Sequence, residues 1–213
     1  MEQLLTGLGL STAAGLNAYI PMLMVGALAR FTDIIHLPAG WGWMENGRVL
    51  GILAVLLVFE VVADKVPALD SVNDTVQTFV RPASGGIVFG SGTAAQTAAV
   101  SDPGEWARSG GWIPVVLGVV IALVVSLTKS AVRPAANVAT AGLAAPVLST
   151  VEDVTSFGLV FIALLIPALV LVILVALIWF GCRMLWRFRR RKDAPYATPT
   201  DVPSEWHEPG RGT

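Results

Sequence analysis

The sequence predicts an all-α fold, that of a polytopic integral membrane protein with about six membrane segments. Its 213 residues are 54% hydrophobic and only 14% charged, whereas a soluble domain carries about 25% charged residues. Apolar stretches that approach the roughly 20 residues needed by a spanning helix recur along the chain. The lipid bilayer is therefore the expected solvent of this chain and its first expected partner.

Six apolar segments are predicted, and they are of two kinds. Four are strongly apolar: residues 4–28, 49–63, 112–128 and 156–182. Two are rich in Gly, Ala, Ser and Thr: residues 82–100 and 134–149. Gly15, Asn17 and Pro21 interrupt the first segment. The two small-residue segments are expected either to span the bilayer or to be re-entrant, because non-helical backbone at membrane depth needs protein or water around it.

The basic run after the last segment predicts the orientation. Residues 183–193 read RMLWRFRRRKD, and an excess of Lys and Arg marks the cytoplasmic side. Counting back through six spans puts both termini in the cytoplasm and the acids Glu152 and Asp153 on the opposite side. Residues 1–188 are predicted to form the transmembrane domain of a multi-pass protein of the bacterial inner (plasma) membrane. Residues 189–213 are polar and contain prolines, which predicts a disordered cytoplasmic tail.

The composition excludes several classes of protein. The net charge is −1, so no basic field points to nucleic acid as a partner. The one cysteine, Cys182, excludes an intrachain disulfide framework and a thiolate zinc cluster. The two histidines, His36 and His207, lie outside the apolar segments, so neither a metal site nor a cofactor is predicted. No catalytic motif is present, and the chain is not predicted to be an enzyme.

The tripeptide Arg-Pro-Ala occurs twice, at residues 81–83 and 133–135. Each copy follows an aliphatic segment and opens a run of small residues that ends before an acid. This repeated pattern predicts a parallel two-helix repeat with units 49–102 and 112–153. Because proline fits the first position of a helix, we interpret each copy as a helix start at the cytoplasmic interface. A pair of arginines that clamps a substrate is the alternative.

An amphipathic helix is predicted over residues 66–81, between Lys65 and Arg81. Its apolar residues recur at helical spacing, so it should lie on the cytoplasmic surface or between spans. Its polar side carries Asp70 and Asp74. These acids lack the glycine and the terminal Glu of a calcium loop. We interpret them first as a solvated face and second, together with Asn73, as oxygen ligands.

Glu60 and Asp64 are the strongest candidates for function. Glu60 follows nine consecutive apolar residues, and Asp64 lies four positions later on the same helical face. A carboxylate inside a membrane costs about 2.5 kcal/mol or more and is usually functional or paired. Two interpretations stay open: a structural ion pair with Lys65, Arg81, Lys129 or Arg133, or a site that couples to a proton or cation. The candidate binding residues are Glu60, Asp64, Lys65, Asp70, Asp74, Arg81, Arg133, Asn17 and Asn137.

Three stretches carry a resemblance to a known family. They are GLSTAAGLNAYIPMLMVGALAR near the start, FEVVADKVPALDSVND, and VRPASGG. Over about residues 5 to 185 the chain resembles the bacterial membrane family known as domain-of-unknown-function family 4126. The resemblance implies a multi-pass membrane fold and names no substrate. Its signature falls on Glu60, Asp64, Lys65, Asp70 and Arg81, and it leads us to expect a basic residue where this chain has Asn17.

Three functions are compatible with these features. The leading hypothesis is a small transporter or channel whose site lies among the first, second, third and fifth segments and uses Glu60 and Asp64 to bind a proton or cation. The alternative is a non-transporting scaffold or accessory subunit of a larger membrane complex, with a membrane protein or a second copy of the chain as partner. A lipid-modifying enzyme ranks last, because only interfacial carboxylates and arginines favour it.

Overall fold

A computed structural model describes residues 2–37, 39–64, 67–93, 110–140, 144–173, 175, 176, 179 and 183, with the backbone alone at 39, 67–72, 93, 134–139 and 144. The α-helices are α1 (Glu2–Leu16), α2 (Tyr19–Phe31), α3 (Gly47–Ala63), α4 (Pro67–Thr93), α5 (Trp112–Ala139) and α6 (Ala144–Leu165). A 3-10 helix, η1 (Ala39–Glu45), precedes α3, and residues 167–173 are also helical. The all-α prediction is confirmed, since no strand occurs among the residues described.

The first predicted segment is broken where its sequence indicates. α1 ends at Leu16 and α2 begins at Tyr19, so Asn17 and Ala18 lie between two helices. The first N–H groups of a helix have no partner within it. Here the Asn17 side chain accepts hydrogen bonds from the backbone N–H groups of Tyr19, at 3.0 Å, and Ile20, at 3.1 Å. One asparagine therefore stabilises the start of α2 inside the protein.

The Arg-Pro-Ala copies do not start helices, which corrects our interpretation of them. Pro82 lies inside α4, and Pro134 falls within α5. Over residues 67–93, the amphipathic stretch and the small-residue stretch after it are consequently one helix and not two. An interior proline removes one backbone hydrogen bond and costs helix stability. As a result, Arg81 and Arg133 lie inside their helices, where carboxylates such as Glu60 and Asp64 contact them in the protein interior.

The last two predicted segments are divided differently in the structure. Residues 134–139 belong to α5, and residues 144–165 form one helix. α6 ends at Leu165, just before Ile166-Pro167, because the residue before a proline disfavours helical backbone. The second predicted repeat unit, 112–153, therefore ends inside α6, and these helix bounds give the repeat no support.

Glycines allow the central helices to approach closely. A Cβ added at Gly85 would meet the Ala122 side chain, and the carbonyl oxygen of Gly118 would lie 2.7 Å from it. A Cβ at Gly118 would in turn meet the Gly85 carbonyl. α4 thus packs with its backbone almost against that of α5, and α1 packs against α4, α5 and α6. Small residues at such seams are typical of membrane helix pairs.

Residues 1–172 form one compact unit, which contains everything described below, and a second unit begins at Ile173. The predicted tail, 189–213, lies outside the described residues. Within the described part, two helices are long and apolar enough to cross a bilayer by length and composition, Trp112–Arg133 and Ala145–Leu165, and α2 is a shorter apolar helix.

A buried charge network as the candidate functional site

The interior of the first unit contains charged side chains. Glu60 is 1% exposed and Arg81 is fully buried, and Asp64, Lys129 and Arg133 are buried as well. They come from α3, the end of α3, α4 and α5. Burying an ion without a partner is very costly, so the positions of these groups must be explained by their contacts with one another.

Arg81 joins two carboxylates. Its Nη2 lies 3.4 Å from Glu60 Oε1, and its Nη1 lies 3.3 Å from Asp74 Oδ1. Asp74 lies two turns before Arg81 on α4, so both side chains leave the helix on the same side. The Glu60 contact is long for a charged hydrogen bond, which usually measures 2.7 to about 2.9 Å.

Arg133 joins three carboxylates. Its Nη2 lies 2.6 Å from Glu152 Oε2 and 3.0 Å from Asp64 Oδ2. Its Nη1 lies 3.8 Å from Asp74 Oδ2. Since Asp74 contacts both Arg81 and Arg133, it links the two arginine clusters into one network.

Lys129 connects the network to the broken helix. Its ammonium Nζ lies 2.8 Å from Glu152 Oε2 and 3.9 Å from Asp64 Oδ2. It also donates to the backbone carbonyl of Leu16, the last residue of α1, at 3.0 Å. A cation at a helix C-terminus compensates the free carbonyls and the partial negative charge there.

Asp64, which follows the last residue of α3, is the most fully engaged acid. It accepts hydrogen bonds from the Asn73 amide at 2.7 Å and from the Ser149 hydroxyl at 3.4 Å, besides its contacts with Arg133 and Lys129. Burial acts to raise the pKa of the Asp64 carboxyl, but Lys129, Arg133 and the Asn73 hydrogen bond together hold it below its ordinary value. Asp64 is therefore ionised at neutral pH.

The break between α1 and α2 is held by side chains from two further helices. Asn17 donates its amide N–H to Asp153 Oδ1 on α6 at 2.9 Å. Ser156 donates to the Ala13 carbonyl at 3.0 Å, and Ser84 donates to the Ala18 carbonyl at 2.6 Å. Together with Lys129, these contacts tie the broken helix to α4, α5 and α6.

At the Glu60–Arg81 corner, buried polar atoms lack a hydrogen-bond partner among the residues described. They are Glu60 Oε2, Gln77 Oε1 and Arg81 Nε. Gln77 is 2% exposed and lies one turn before Arg81 on α4, beside the Tyr19 phenol. Buried polar atoms are nearly always paired, so this corner differs from the well-paired surroundings of Asp64.

Most predicted site residues meet in this network. Glu60, Asp64, Asp74, Arg81 and Arg133 form it, and Asn17 borders it. Lys65 lies outside the described residues. Asp70 and Asn137 lie on described backbone, but their side chains are outside the described part, so both stay predictions.

Several participants were not among the predicted site residues. Asn73 and Gln77 were assigned to the predicted surface helix, and Glu152 and Asp153 to the outer side of the membrane. The structure has both acids well inside α6, facing cations or Asn17. Glu152 and Asp153, like Glu60, are acids within an apolar stretch, and this pattern is the sequence signal that indicates a buried acid. Lys129 was named only as a partner for Glu60.

Among the described residues, the network contains more acids than bases. These carboxylates are Glu60, Asp64, Asp74, Glu152 and Asp153, and the cations are Arg81, Lys129 and Arg133, which gives the described groups a formal charge of −2 when all are ionised. In the described part of the chain, no three His, Cys, Asp or Glu side chains converge in a group that could hold a metal ion. The described part of the network can therefore accept positive charge.

Fold and site together define an all-α protein whose helices enclose a network of ion pairs beside a broken helix. The chain belongs to the family described as Domain of unknown function (DUF4126), whose model matches residues 4–187, and the resemblance seen in the sequence is thereby confirmed. No curated protein and no solved structure matches the chain.

Proposed function

We propose that the protein is a small integral membrane transporter in which ion binding to the buried network drives movement of a solute. The observation that carries the proposal is the contact between the network and the broken helix, through Lys129 to the Leu16 carbonyl and through Asp153 to Asn17. Discontinuous helices beside charged groups form the substrate and ion sites of many secondary transporters. If an ion binds to the network and changes its charge, the contacts of Lys129 and Asp153 with the break between α1 and α2 change as well.

The distribution of polarity supports a membrane location. Large apolar side chains face outward on several helices, while the charged groups described above face inward. On α3, for example, the exposed side chains include Ile52, Val55, Val58, Phe59 and Val62. A soluble protein of this size exposes few contiguous apolar patches, whereas a bilayer is the natural solvent for such a face. The backbone N–H and C=O groups of α3 are hydrogen-bonded within the helix, which a hydrocarbon environment requires.

The proposed topology has six membrane segments, counted on the observed helices. They are α1 with α2 as one broken segment, α3, α4, α5, α6, and the segment that starts at residue 167. α3 has 17 residues and is about 25 Å long at roughly 1.5 Å per residue, close to the roughly 30 Å of a hydrocarbon core. Both termini face the cytoplasm, where the basic run 183–193 belongs by the positive-inside rule.

Transport assays in proteoliposomes test the proposal. Purified protein is reconstituted, solutes of different charge classes are offered, and uptake driven by an ion gradient is measured. We expect uptake with the natural protein and its loss in Glu60→Gln, which removes a charge at nearly constant shape. Glu45→Gln makes the same chemical change outside the network and is expected to transport normally. Absence of uptake for every solute class, or full uptake by Glu60→Gln, contradicts the proposal.

One observation favours the alternative of a scaffold or accessory subunit. Glu60 is almost completely buried and is bridged to Arg81, as a purely structural ion pair is. In that case Glu60→Gln changes stability or assembly, and no solute moves. Co-purification of the natural protein and of Glu60→Gln from membranes, compared for the same retained partner, distinguishes this function from transport.

A further inference from the structure

We infer that the ion bound by the network is a proton, and that its site is the Glu60 carboxyl beside Arg81 and Gln77. The inference rests on the proposed function, since it names the ion that drives it. It follows from three features of the site: the contacts of each acid, the positions of the unpaired atoms, and the charge of the network.

Among the network acids that contact a cation, Glu60 is the most weakly held; Asp153 contacts the Asn17 amide instead. Asp64 is bound by a lysine, an arginine, an amide and a hydroxyl, Asp74 by two arginines, and Glu152 by Lys129 and Arg133. Glu60 has one contact, at 3.4 Å, with an arginine that Asp74 shares. Its second oxygen, Oε2, has no donor among the described residues. A proton on Oε2 replaces a buried bare acceptor by a donor.

A second buried acceptor without a donor belongs to the same corner of the network. Gln77 Oε1 is buried and lacks a donor among the described residues. Gln77 is one turn from Arg81 on α4, and Tyr19 of α2 faces Gln77, Glu60 and Arg81. A buried polar atom without a partner is unfavourable, so we assign Gln77 Oε1 as the acceptor for the protonated Glu60.

The charge of the network also favours protonation at this position. The groups that face Glu60 are Arg81 from α4, Lys129 from α5, Asp153 from α6 and Asp64 at the end of its own helix. Protonation adds one positive charge and changes the formal sum from −2 to −1.

The chemistry is a simple proton transfer. A hydrated proton forms an O–H bond with Glu60 Oε2, the carboxylate becomes a neutral acid, and Arg81 keeps Asp74 as its counterion. A metal ion needs several oxygen ligands around one point, and such a group is missing from the described residues. A proton needs only one oxygen.

Infrared difference spectroscopy tests the inference without any flux. The protein is labelled with ¹³C-glutamate in lipid, and spectra are compared between alkaline and acidic pH. We expect a carbonyl band of a protonated, buried glutamic acid to grow as the pH falls. The band is lost in Glu60→Gln and is retained in Glu45→Gln, which carries the same change elsewhere. Gln77→Leu keeps the band but shifts its frequency, since the protonated acid has lost its acceptor.

Three results overturn the inference: no titrating glutamic acid band in the natural protein, a band that survives in Glu60→Gln, or carboxylate bands that respond to Na⁺ at constant pH in place of protons. If Glu60→Gln does not fold, Glu60→Asp replaces it, and the ¹³C-glutamate band must then disappear while an aspartic acid band appears. A titrating Glu60 in a protein that moves no solute leaves the proton site in place and refutes transport alone. If the protein transports a solute and Glu60 does not titrate, the proton site is refuted and the transport function remains.

Discussion

Buried charges at the residue scale stabilise this fold only as long as their partners stay in place. Asp64 receives hydrogen bonds or ion pairs from α4, α5 and α6, so four parts of the chain converge on one carboxylate. Removing one partner of a buried ion pair costs about 3–5 kcal/mol, because the remaining charge is left uncompensated. The net gain from making the pair is much smaller.

Asp64→Asn is therefore expected to destabilise the protein by about 3–5 kcal/mol. The change leaves Arg133 and Lys129 buried with less negative charge around them. Thermal unfolding of the protein in lipid or mild detergent measures the loss. Asp33→Asn is the control, since Asp33 is exposed and lies outside the network. Equal unfolding temperatures for the two variants contradict the role assigned to Asp64.

Asn17→Ala is expected to lower the free energy of unfolding by more than Asn46→Ala. Each asparagine caps a helix, Asn17 for α2 and Asn46 for α3, where it accepts from the Arg48 N–H at 2.9 Å. Loss of such a cap costs about 1 kcal/mol. Asn17 in addition holds Asp153 inside the protein, so its removal leaves a carboxylate without its amide donor. Parallel denaturation of both variants measures the difference, and equal losses contradict the prediction.

At the scale of elements, the close approach of α4 and α5 brings the two arginines within reach of the same carboxylate, Asp74. The approach depends on glycine, because backbone atoms of one helix occupy the space where a Cβ of the other would lie. The polar stripe of α4 also depends on helical spacing, since Asn73, Gln77 and Arg81 recur every four residues and therefore share one face.

Gly118→Ala is expected to destabilise the protein by about 1–3 kcal/mol, the usual cost of overpacking. The added Cβ meets the Gly85 carbonyl and lies 2.5 Å from Phe89 Cβ, so the two helices must separate. Gly51→Ala is the matched control. Gly51 lies on α3 with nothing within 4 Å of an added Cβ, and alanine there gains up to about 1 kcal/mol of helix propensity. Unfolding temperatures that shift equally in both variants rule out a close glycine seam.

At the scale of the whole molecule, the first unit, residues 1–172, has a polarity unlike that of a soluble protein. The charges of the network are enclosed, and many large aliphatic side chains face outward. The number of crossings then decides on which side each end of the molecule lies. The proposed six segments put position 2 in the cytoplasm and position 42, in η1, on the opposite side.

Cysteine labelling in intact cells tests this topology. In a Cys182→Ser background, Gly42→Cys is expected to react with a membrane-impermeant maleimide from outside. Glu2→Cys is expected to react only after the cells are permeabilised, because the broken α1–α2 segment separates the two positions. Glu2 is exposed, and a Cβ added at Gly42 has no atom within 4 Å. Reactivity of a cysteine at either position therefore reports on which side of the membrane it lies. Reaction of both variants from the same side means that α1 and α2 do not cross.

The sequence by itself determined the helical class and the break at Asn17, and it singled out Glu60 and Asp64, which are buried in the structure. These properties depend on local signals: apolar runs, a cap residue, and acids inside an apolar helix. The helix bounds were predicted less well, because Arg-Pro-Ala is equally compatible with a helix start and with a proline inside a helix.

Only the tertiary structure decided which charges meet. Asp64 and Ser149 are 85 positions apart in the chain, and no periodicity in the sequence pairs them. The sequence analysis put Glu152 on the side opposite the cytoplasm, because hydropathy locates apolar segments along the chain but does not indicate which charges meet. That choice follows from the packing of α4 on α5 and of both on α1, since a buried ion is stable only where several helices supply its counter-charges at once.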